Sequence, residues 1–206
     1  HPQIPLPLNI YSARDNSMGL DLTSDKPIAP LFAAVNKYAD KKYNAPCVID
    51  AQPLREGTRY SIQNPSNHHD IVGDVYYATA TEIENAFDTL TTGFESWNNA
   101  GVEERALCLE RLADLYAEHQ DEIMALLIRE AGKTIPDAIG EVREAIDFCR
   151  YYAVEARKHF IEHELEGPTG ERNTHILEGR GVFVCVSPWN FPFAIFTGQI
   201  VAALVA

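Results

Sequence analysis

The sequence predicts an α/β fold with a parallel sheet, and residues 181–206 carry most of this prediction because they contain no charged side chain. Residues 182–186 are β-branched, aromatic or thiol-bearing and lie between Gly181 and Pro188, which is typical of a fully buried strand. Residues 193–206 are apolar apart from Thr197, Gly198 and Gln199 and predict a buried helix. Strand, sharp turn and helix together open a βα unit of a parallel sheet.

An uncharged run of this length could also cross a membrane, since about 18 apolar residues suffice for a helical span. Pro188 and Pro192 argue against a span, because each proline removes a backbone donor and clashes with the preceding helical turn. The two prolines divide the run into pieces that are each too short to cross a bilayer. We therefore expect the βα unit.

The composition indicates a soluble globular chain, with 46% hydrophobic and 23% charged residues. A net charge of −13 argues against nucleic acid and against an anionic membrane surface as direct partners. The cysteines are widely spaced, without a zinc or disulfide pattern, which favours a reducing compartment. They are Cys47, Cys108, Cys149 and Cys185. Without a signal peptide or a metal-ligand spacing of the histidines, we expect a cytoplasmic protein and no metal.

The N-terminal part predicts an arm followed by a short helix. Residues 1–26 are polar and proline-spaced, as in an extended connection. A helix is predicted from about residue 27 to 38, with Ser24 or Asp25 as its cap. Residues 37–46 are polar and typical of a turn. The chain begins at His1 and stops in an apolar helix, so we expect a piece of a longer protein.

Two strands are predicted after the arm. The first covers residues 60–62 and stops at Asn64, which precedes a proline. The second covers residues 71–77, where Gly73 indicates a turn or a bulge.

Four helices follow before the apolar run. Thr81 and Glu84 match a capping box that opens the first of them. Its predicted apolar face consists of Ile83, Ala86, Phe87 and Leu90. Residues 103–118 form the second, and the third ends at Gly132, a suitable C-cap.

Pro136 suits the first turn of the fourth and longest helix. Apolar residues recur along this helix in steps of three and four and predict one buried seam. They are Ile139, Val142, Ile146, Cys149, Ala153 and Ala156. A coiled coil would need the same pattern over a longer stretch with matched flanking charges.

Asn190 is the sharpest candidate for chemistry. It follows the predicted strand in a turn held by a proline on each side, where a parallel sheet places its ligands. Its amide could donate a hydrogen bond to a developing oxyanion, which lowers an acyl-transfer barrier in a water-poor site. The alternative is an asparagine that only satisfies the turn, and spacing alone slightly favours that alternative.

Other candidates are weaker. Cys185 lies inside an apolar strand pattern and is interpreted as a buried structural thiol rather than a nucleophile. Glu130 and Lys133 place a carboxylate and an ammonium at a helix end, where they either bind a ligand or cap a solvated terminus. Gly179 and Gly181 form a GxG before a strand rather than after one, which is not a dinucleotide fingerprint.

Residues 187–192, Ser-Pro-Trp-Asn-Phe-Pro, closely resemble the PWNFP signature of the aldehyde dehydrogenase superfamily. The order of features upstream agrees from about residue 60 onward. The resemblance implies an aldehyde dehydrogenase-like fold, here the truncated N-terminal part of a Rossmann-like NAD-binding domain at residues 58–206. Residues 1–57 would then be a connecting arm and short helix, and residues 168–180 would begin the oligomerisation hairpin of the family.

Residues 14–22 and 147–152 are similar to the bifunctional proline utilization A family, in which an FAD-dependent proline dehydrogenase domain precedes the aldehyde dehydrogenase module. This implies NAD-dependent oxidation of L-glutamate γ-semialdehyde, formed from Δ1-pyrroline-5-carboxylate, to glutamate. The resemblance also implies a homo-oligomeric parent, with peripheral membrane association confined to that parent. The alternatives are another semialdehyde, such as succinate semialdehyde, or a non-catalytic docking or oligomerisation module.

The resemblance also assigns roles by position. Asn190 would be the side-chain half of the oxyanion hole, Phe191 would wall the aldehyde site, and Glu130 would face the substrate amine. The nicotinamide and its ribose would be lined by Val186, Ser187, Pro188 and Trp189. The family's nucleophilic cysteine, which forms the thiohemiacetal, its general-base glutamate and its adenosine-binding lysine would lie beyond the last helix. We therefore expect the 206-residue chain to be inactive by itself.

Overall fold

Six α-helices and seven short strands make up the computed structural model, which describes residues 3–206 except for the side chains of residues 25–27. The helices are α1 (Asp25–Asn36), α2 (Ala80–Asn99), α3 (Val102–Glu118), α4 (Gln120–Ala131), α5 (Ile135–His159) and α6 (Ala194–Val205). The strands are β1 (Tyr43–Ala45), β2 (Cys47–Ile49), β3 (Gln52–Leu54), β4 (Arg59–Asn64), β5 (Asn67–Tyr76), β6 (His163–Leu165) and β7 (Asn173–His175). The predicted cap at Asp25 and the first two residues of the arm lie outside the described part.

The largest sheet has the order β1-β5-β4, with β1 parallel and β4 antiparallel to β5. Both predicted strands are therefore confirmed, and β4 ends at Asn64 as expected. The register shifts between Ile62 and Gln63, directly across from Gly73, so the predicted bulge lies at this point. A Cβ on Gly73 would lie 2.2 Å from the carbonyl oxygen of Tyr43, so only glycine lets β1 approach. The prediction of a turn up to residue 46 is wrong at its end because β1 forms there.

The capping box of α2 lies two residues before the predicted one. The hydroxyl of Thr79 accepts from the backbone N–H of Glu82, and the Glu82 carboxylate accepts from the N–H of Thr79 at 2.6 Å. The sequence contains two overlapping Thr-x-x-Glu pairs, and the upstream pair caps the helix because β5 ends at Tyr76. The predicted apolar face of α2 is half exposed, with Ile83 at 49% and Leu90 at 53%.

The core is built around α5, which packs against α3, α4 and α6. All six residues of the predicted seam are buried, so the expectation for this helix is confirmed. The start of α5 is capped by Thr134, whose hydroxyl accepts from the N–H of Asp137. Gly132 ends α4 in the left-handed region with φ 64°, as the sequence predicts. Arg157 binds both Glu103 and Glu110 with paired hydrogen bonds and joins the end of α5 to α3.

The N-terminal arm is anchored on α5 by one carboxylate. Asp147 accepts the backbone N–H of Ser17 at 2.8 Å and the Ser17 hydroxyl at 2.6 Å. Arg14 adds an ion pair to the same carboxylate at 3.4 Å. Since Ser17 is only 2% exposed, this part of the arm is packed rather than free.

The apolar run differs from its prediction in one half. Helix α6 confirms the buried helix, but residues 182–186 form no strand among the described residues. Three of their side chains are largely exposed: Phe183 at 58%, Val184 at 71% and Val186 at 78%. A strand requires a neighbour that pairs with its backbone groups, and the part of the chain described here places none beside this segment. The fully buried strand is therefore wrong for this chain.

The mixed helix and sheet content agrees with the predicted α/β class. Strands β6 and β7 form an antiparallel hairpin that overlaps the predicted start of the oligomerisation hairpin; its role stays a prediction. None of the helices in the described part combines the length and the apolar character needed to cross a membrane.

Candidate active site

A pocket of about 680 Å³ lies between the end of α4 and the loop that precedes α6. Its wall contains Glu130, Lys133, Trp189 and Asn190, residues that are up to 60 positions apart in the sequence. Apolar side chains of α4, among them Leu126, complete the lining. The structure thus brings together the helix-end charges and the asparagine that the sequence singled out separately.

Helix α6 holds the stretch just before the loop. The side-chain amide of Gln199 donates to the carbonyl oxygen of Val186 at 3.0 Å, and its oxygen accepts from the Ser187 hydroxyl at 3.4 Å. Within the loop, the N–H of Phe191 donates to the carbonyl oxygen of Pro188 at 3.3 Å. These contacts keep residues 186–191 on one side of α6.

Lys133 and Glu141 connect this loop to the helical core. The ammonium of Lys133 donates to the carbonyl oxygen of Asn190 at 2.6 Å and forms an ion pair with Glu141 Oε1 at 2.8 Å. The other carboxylate oxygen of Glu141 accepts the backbone N–H groups of Phe193 at 3.2 Å and Ala194 at 2.8 Å. One carboxylate therefore binds a lysine and also satisfies the first turn of α6.

The side chain of Asn190 is exposed and does not help to hold the loop. Among residues 3–206, its amide makes no hydrogen bond, although its backbone carbonyl is bound by Lys133. The neighbouring Trp189 is 88% exposed and Phe191 is 40% exposed. The Asn190 amide is thus available for a ligand in the pocket, and the turn itself does not require it.

Glu130 lies on the pocket wall and does not pair with Lys133, which binds Glu141 instead. Its side chain is reached by solvent, yet the surrounding apolar wall raises the pKa of its carboxyl by desolvation. A carboxylate in this position lacks a cationic partner of its own among the described residues.

Glu141 was not recognised as a site residue from the sequence. A signal was present, because it is an acidic residue inside the apolar seam of α5, next to Val142 and two positions after Ile139. A glutamate that is 2% exposed is rare unless it is paired. Acidic residues at buried helical positions therefore indicate a partner elsewhere in the chain.

Cys185 lies away from the Asn190 pocket. It lines a second, more apolar pocket of about 550 Å³ between α2, α6 and the segment before the loop. The prediction of a buried thiol is wrong in degree, since Cys185 is half-buried, because no strand forms around it. All four cysteines are free thiols.

Comparison with known proteins identifies the class of protein. The model of the aldehyde dehydrogenase family matches residues 54–206, and the chain belongs to this family. It is 42% identical to the bifunctional protein PutA of Escherichia coli, over 100% of this chain and 15% of that protein. It is 35% identical to 1-pyrroline-5-carboxylate dehydrogenase 2 of Bacillus subtilis, over 84% of this chain and 33% of that protein.

Solved structures agree with this assignment. Proline utilization A from Bdellovibrio bacteriovorus, inactivated by N-propargylglycine, matches with a TM-score of 0.90 and 34% identity over 100% of this chain and 21% of its own. A 1-pyrroline-5-carboxylate dehydrogenase from Thermus with bound NAD matches with a TM-score of 0.86 and 29% identity over 92% and 37%. The aldehyde dehydrogenase fold predicted from the sequence is confirmed. The chain spans about 15% of the length of the curated bifunctional relatives.

Proposed function

We propose that this chain is part of an NAD-dependent dehydrogenase that oxidises L-glutamate γ-semialdehyde to glutamate in proline catabolism. The observation that carries the proposal is the pocket shared by Glu130 and Asn190, which offers a carboxylate and a free amide to one ligand. The similarity to proteins named PutA and 1-pyrroline-5-carboxylate dehydrogenase supports this substrate class.

Asn190 donates to the oxygen on which charge develops. A cysteine nucleophile outside residues 1–206 adds to the carbonyl carbon of the aldehyde and forms a thiohemiacetal. During this addition the carbonyl oxygen gains negative charge. A fixed amide N–H that is not already hydrogen-bonded stabilises this charge without reorganisation. The Asn190 side chain lies in the pocket wall, its amide has no hydrogen-bond partner among the described residues, and the backbone of this residue is held by Lys133.

Glu130 binds the amine of the substrate. The apolar wall partly desolvates its carboxyl, which has no cationic partner among the described residues, so an incoming ammonium group would lower its raised pKa and form an ion pair. Phe191 follows Asn190 directly and is not among the residues that line the pocket, and its ring lies 4.7 Å from the Lys133 ammonium; we propose it as a wall of the aldehyde site beside that pocket. Succinate semialdehyde has no amine and would not gain from Glu130.

NAD is the hydride acceptor, and overall one aldehyde, one NAD⁺ and one water give a carboxylate, NADH and two protons. The described residues fit its nicotinamide half. The stretch formed by Val186, Ser187, Pro188 and Trp189 is uncharged and exposes apolar surface at Val186 (78%) and Trp189 (88%). A flat ring can lie on such a surface.

The same proposal extends to the oligomeric state, the compartment and the second domain of the parent protein. The parent protein is a homo-oligomer and works in the cytoplasm; the four free thiols support a reducing compartment. An FAD-dependent proline dehydrogenase domain in the same polypeptide would supply the semialdehyde. The 206-residue chain by itself forms no NADH, because its own residues provide only one of the required catalytic groups.

The test is NADH formation by the complete enzyme with glutamate γ-semialdehyde and with succinate semialdehyde. Glu130→Gln keeps the shape of the side chain and removes its charge, so it should lower kcat/KM for the amino-acid substrate by about 10-fold or more, the effect of one lost charge-assisted hydrogen bond. Activity on succinate semialdehyde should stay unchanged. Equal loss on both substrates, or no NADH from either, would contradict the proposal.

A further inference from the structure

We propose that Lys133 and Glu141 are positioning residues that set the direction of the Asn190 amide, an inference that rests on the dehydrogenase function proposed above. Neither residue needs to contact substrate or cofactor for this role. They act on the backbone of the loop that carries Asn190. The inference concerns how the oxyanion donor is aimed.

Lys133 fixes the loop at its centre. It follows Gly132, whose left-handed backbone turns the chain out of α4, and its side chain is 15% exposed. Its ammonium holds the carbonyl oxygen of Asn190 at 2.6 Å and lies 4.7 Å from the centre of the Phe191 ring. The peptide plane that follows Asn190 is therefore held by a charge-assisted hydrogen bond.

Glu141 fixes the loop at its end. Its Oε2 receives the N–H groups of Phe193 and Ala194, while its Oε1 binds the Lys133 ammonium at 2.8 Å. The ion pair thus connects the carbonyl group of Asn190, two residues before Pro192, with the two N–H groups that follow the proline. Proline has no N–H, so this pair supplies contacts that the loop backbone cannot make internally.

The other recorded contacts of the loop are two hydrogen bonds with Gln199 at residues 186–187, near its start, and one hydrogen bond inside it. Phe191 N–H to Pro188 is the hydrogen bond recorded inside the loop for the described residues, and it is long at 3.3 Å. For stability alone, a buried ion pair is no better than apolar side chains of the same volume. Its distinct contribution here is geometric, since it joins two rigid helices, α4 and α5, to the residue that donates to the oxyanion.

The decisive test is a double-mutant cycle in the complete enzyme between Lys133→Met and Asn190→Ala. Lys133→Met should lower kcat by about 10- to 100-fold, the cost of misplacing a catalytic group by roughly 1 Å, with little change in KM for NAD. In the Asn190→Ala background, Lys133→Met should have almost no further effect on kcat, because the group that it aims is gone. Losses that multiply would overturn the proposal.

Two variants separate positioning from folding. Glu141→Gln keeps an oxygen for the N–H of Ala194 but loses the charge pairing, so it should show the same kcat loss and the same non-additivity with Asn190→Ala. Lys158→Met removes a lysine that is 65% exposed and whose recorded ion pair among the described residues is with Glu155 on the same helix, and it should leave activity unchanged. Unaltered kcat in Glu141→Gln would overturn the proposal.

A readout without turnover distinguishes this inference from the proposed function. A fluorinated tryptophan placed at position 189 alone reports on the loop, because Trp189 neighbours Asn190 and is exposed. Its ¹⁹F resonance should be one narrow line in the unaltered protein and should shift or broaden in Lys133→Met. An altered resonance in an enzyme without semialdehyde activity would refute the function and keep the positioning role. An unchanged resonance would refute the positioning role itself.

Discussion

Helix α5 and the segment at residues 182–191 are linked through the Glu141–Lys133 ion pair and the hydrogen bond from Lys133 to Asn190, yet their apolar side chains differ in exposure. The seam of α5 is buried along its whole length, from Ile139 to Ala156. In the segment, Val186 is 78% and Trp189 88% exposed. The helical core is complete within the described residues, whereas the wall of the site offers apolar surface for a ligand or another part of a protein to cover. The buried seam of α5 thus stabilises the fold, and the neighbouring segment keeps its apolar surface exposed at the proposed site.

The largest expected effect on stability comes from a substitution in the buried core. Ile146→Ala, at a site that is 5% exposed, should lower the free energy of unfolding by about 2–5 kcal/mol through lost burial and a residual cavity. Phe183→Ala, at 58% exposure, should change it by less than about 0.5 kcal/mol. Urea unfolding of the chain measures both values. Equal costs would mean that the exposed segment is packed in solution.

A second pair of substitutions tests how tightly α6 packs against α5. A Cβ on Gly198 would lie 3.0 Å from two ring atoms of Phe148, so Gly198→Ala should destabilise the chain by about 1–3 kcal/mol through overpacking. Gly140→Ala is the matched control, because a Cβ at this position would meet no atom within 4 Å among the described residues outside its own helix backbone. The control should gain up to about 1 kcal/mol from helix propensity. Thermal unfolding that shows a gain for both variants would contradict a tight α5–α6 contact.

The smallest expected effects concern two carboxylates that titrate with opposite sign. Hydrogen bonds from the Arg129 guanidinium to Asp70, at 2.7 and 3.1 Å, hold the pKa of this aspartate well below its usual value. Its stabilising contribution is therefore present above about pH 4, the unfolded pKa, and is lost as the pH falls towards the folded pKa. Desolvation raises the pKa of Glu130, so its contribution is present below about pH 4 and is lost as the pH rises through the folded pKa.

Urea midpoints between acidic and neutral pH check these signs. Asp70→Asn should be less stable than the unaltered chain at neutral pH, and the difference should shrink in acid. Glu130→Gln should be slightly more stable at neutral pH, even though it impairs the proposed substrate binding. A loss of stability in Glu130→Gln at neutral pH would mean that Glu130 has a cationic partner in the protein.

Much of the helical framework could be predicted from the sequence because its signals are local. Pro136 near the start of α5 and Gly132 after α4 mark helix ends within one turn. The capping box of α2 was misplaced because two Thr-x-x-Glu pairs overlap, and the end of β5 chooses between them. The exposed face of α2 at Leu90 was also unpredictable, since periodicity indicates an apolar face and does not say what covers it.

In the candidate site, too, the local features were predictable from the sequence and the contacts between distant residues were not. Asn190 and Glu130 could be singled out because a proline-bounded turn and a helix end are visible in a few consecutive residues. Their meeting in one pocket could not be predicted from spacing, since they are 60 residues apart. The partner of Lys133 was missed for this reason, because Glu141 is chosen by the approach of two helices and the loop.

The sequence by itself determined the presence of the helices, the ends marked by Gly132 and Pro136, the buried seam of α5 and the signature around Asn190, because these depend on interactions among residues a few positions apart. Only the tertiary structure decided that Asp147 binds Ser17, that Lys133 pairs with Glu141, and that residues 182–186 stay unpaired. A hydrogen bond or an ion pair needs two groups within a few ångströms, and a strand needs a neighbouring backbone. Such neighbours are set by how distant parts of the chain pack.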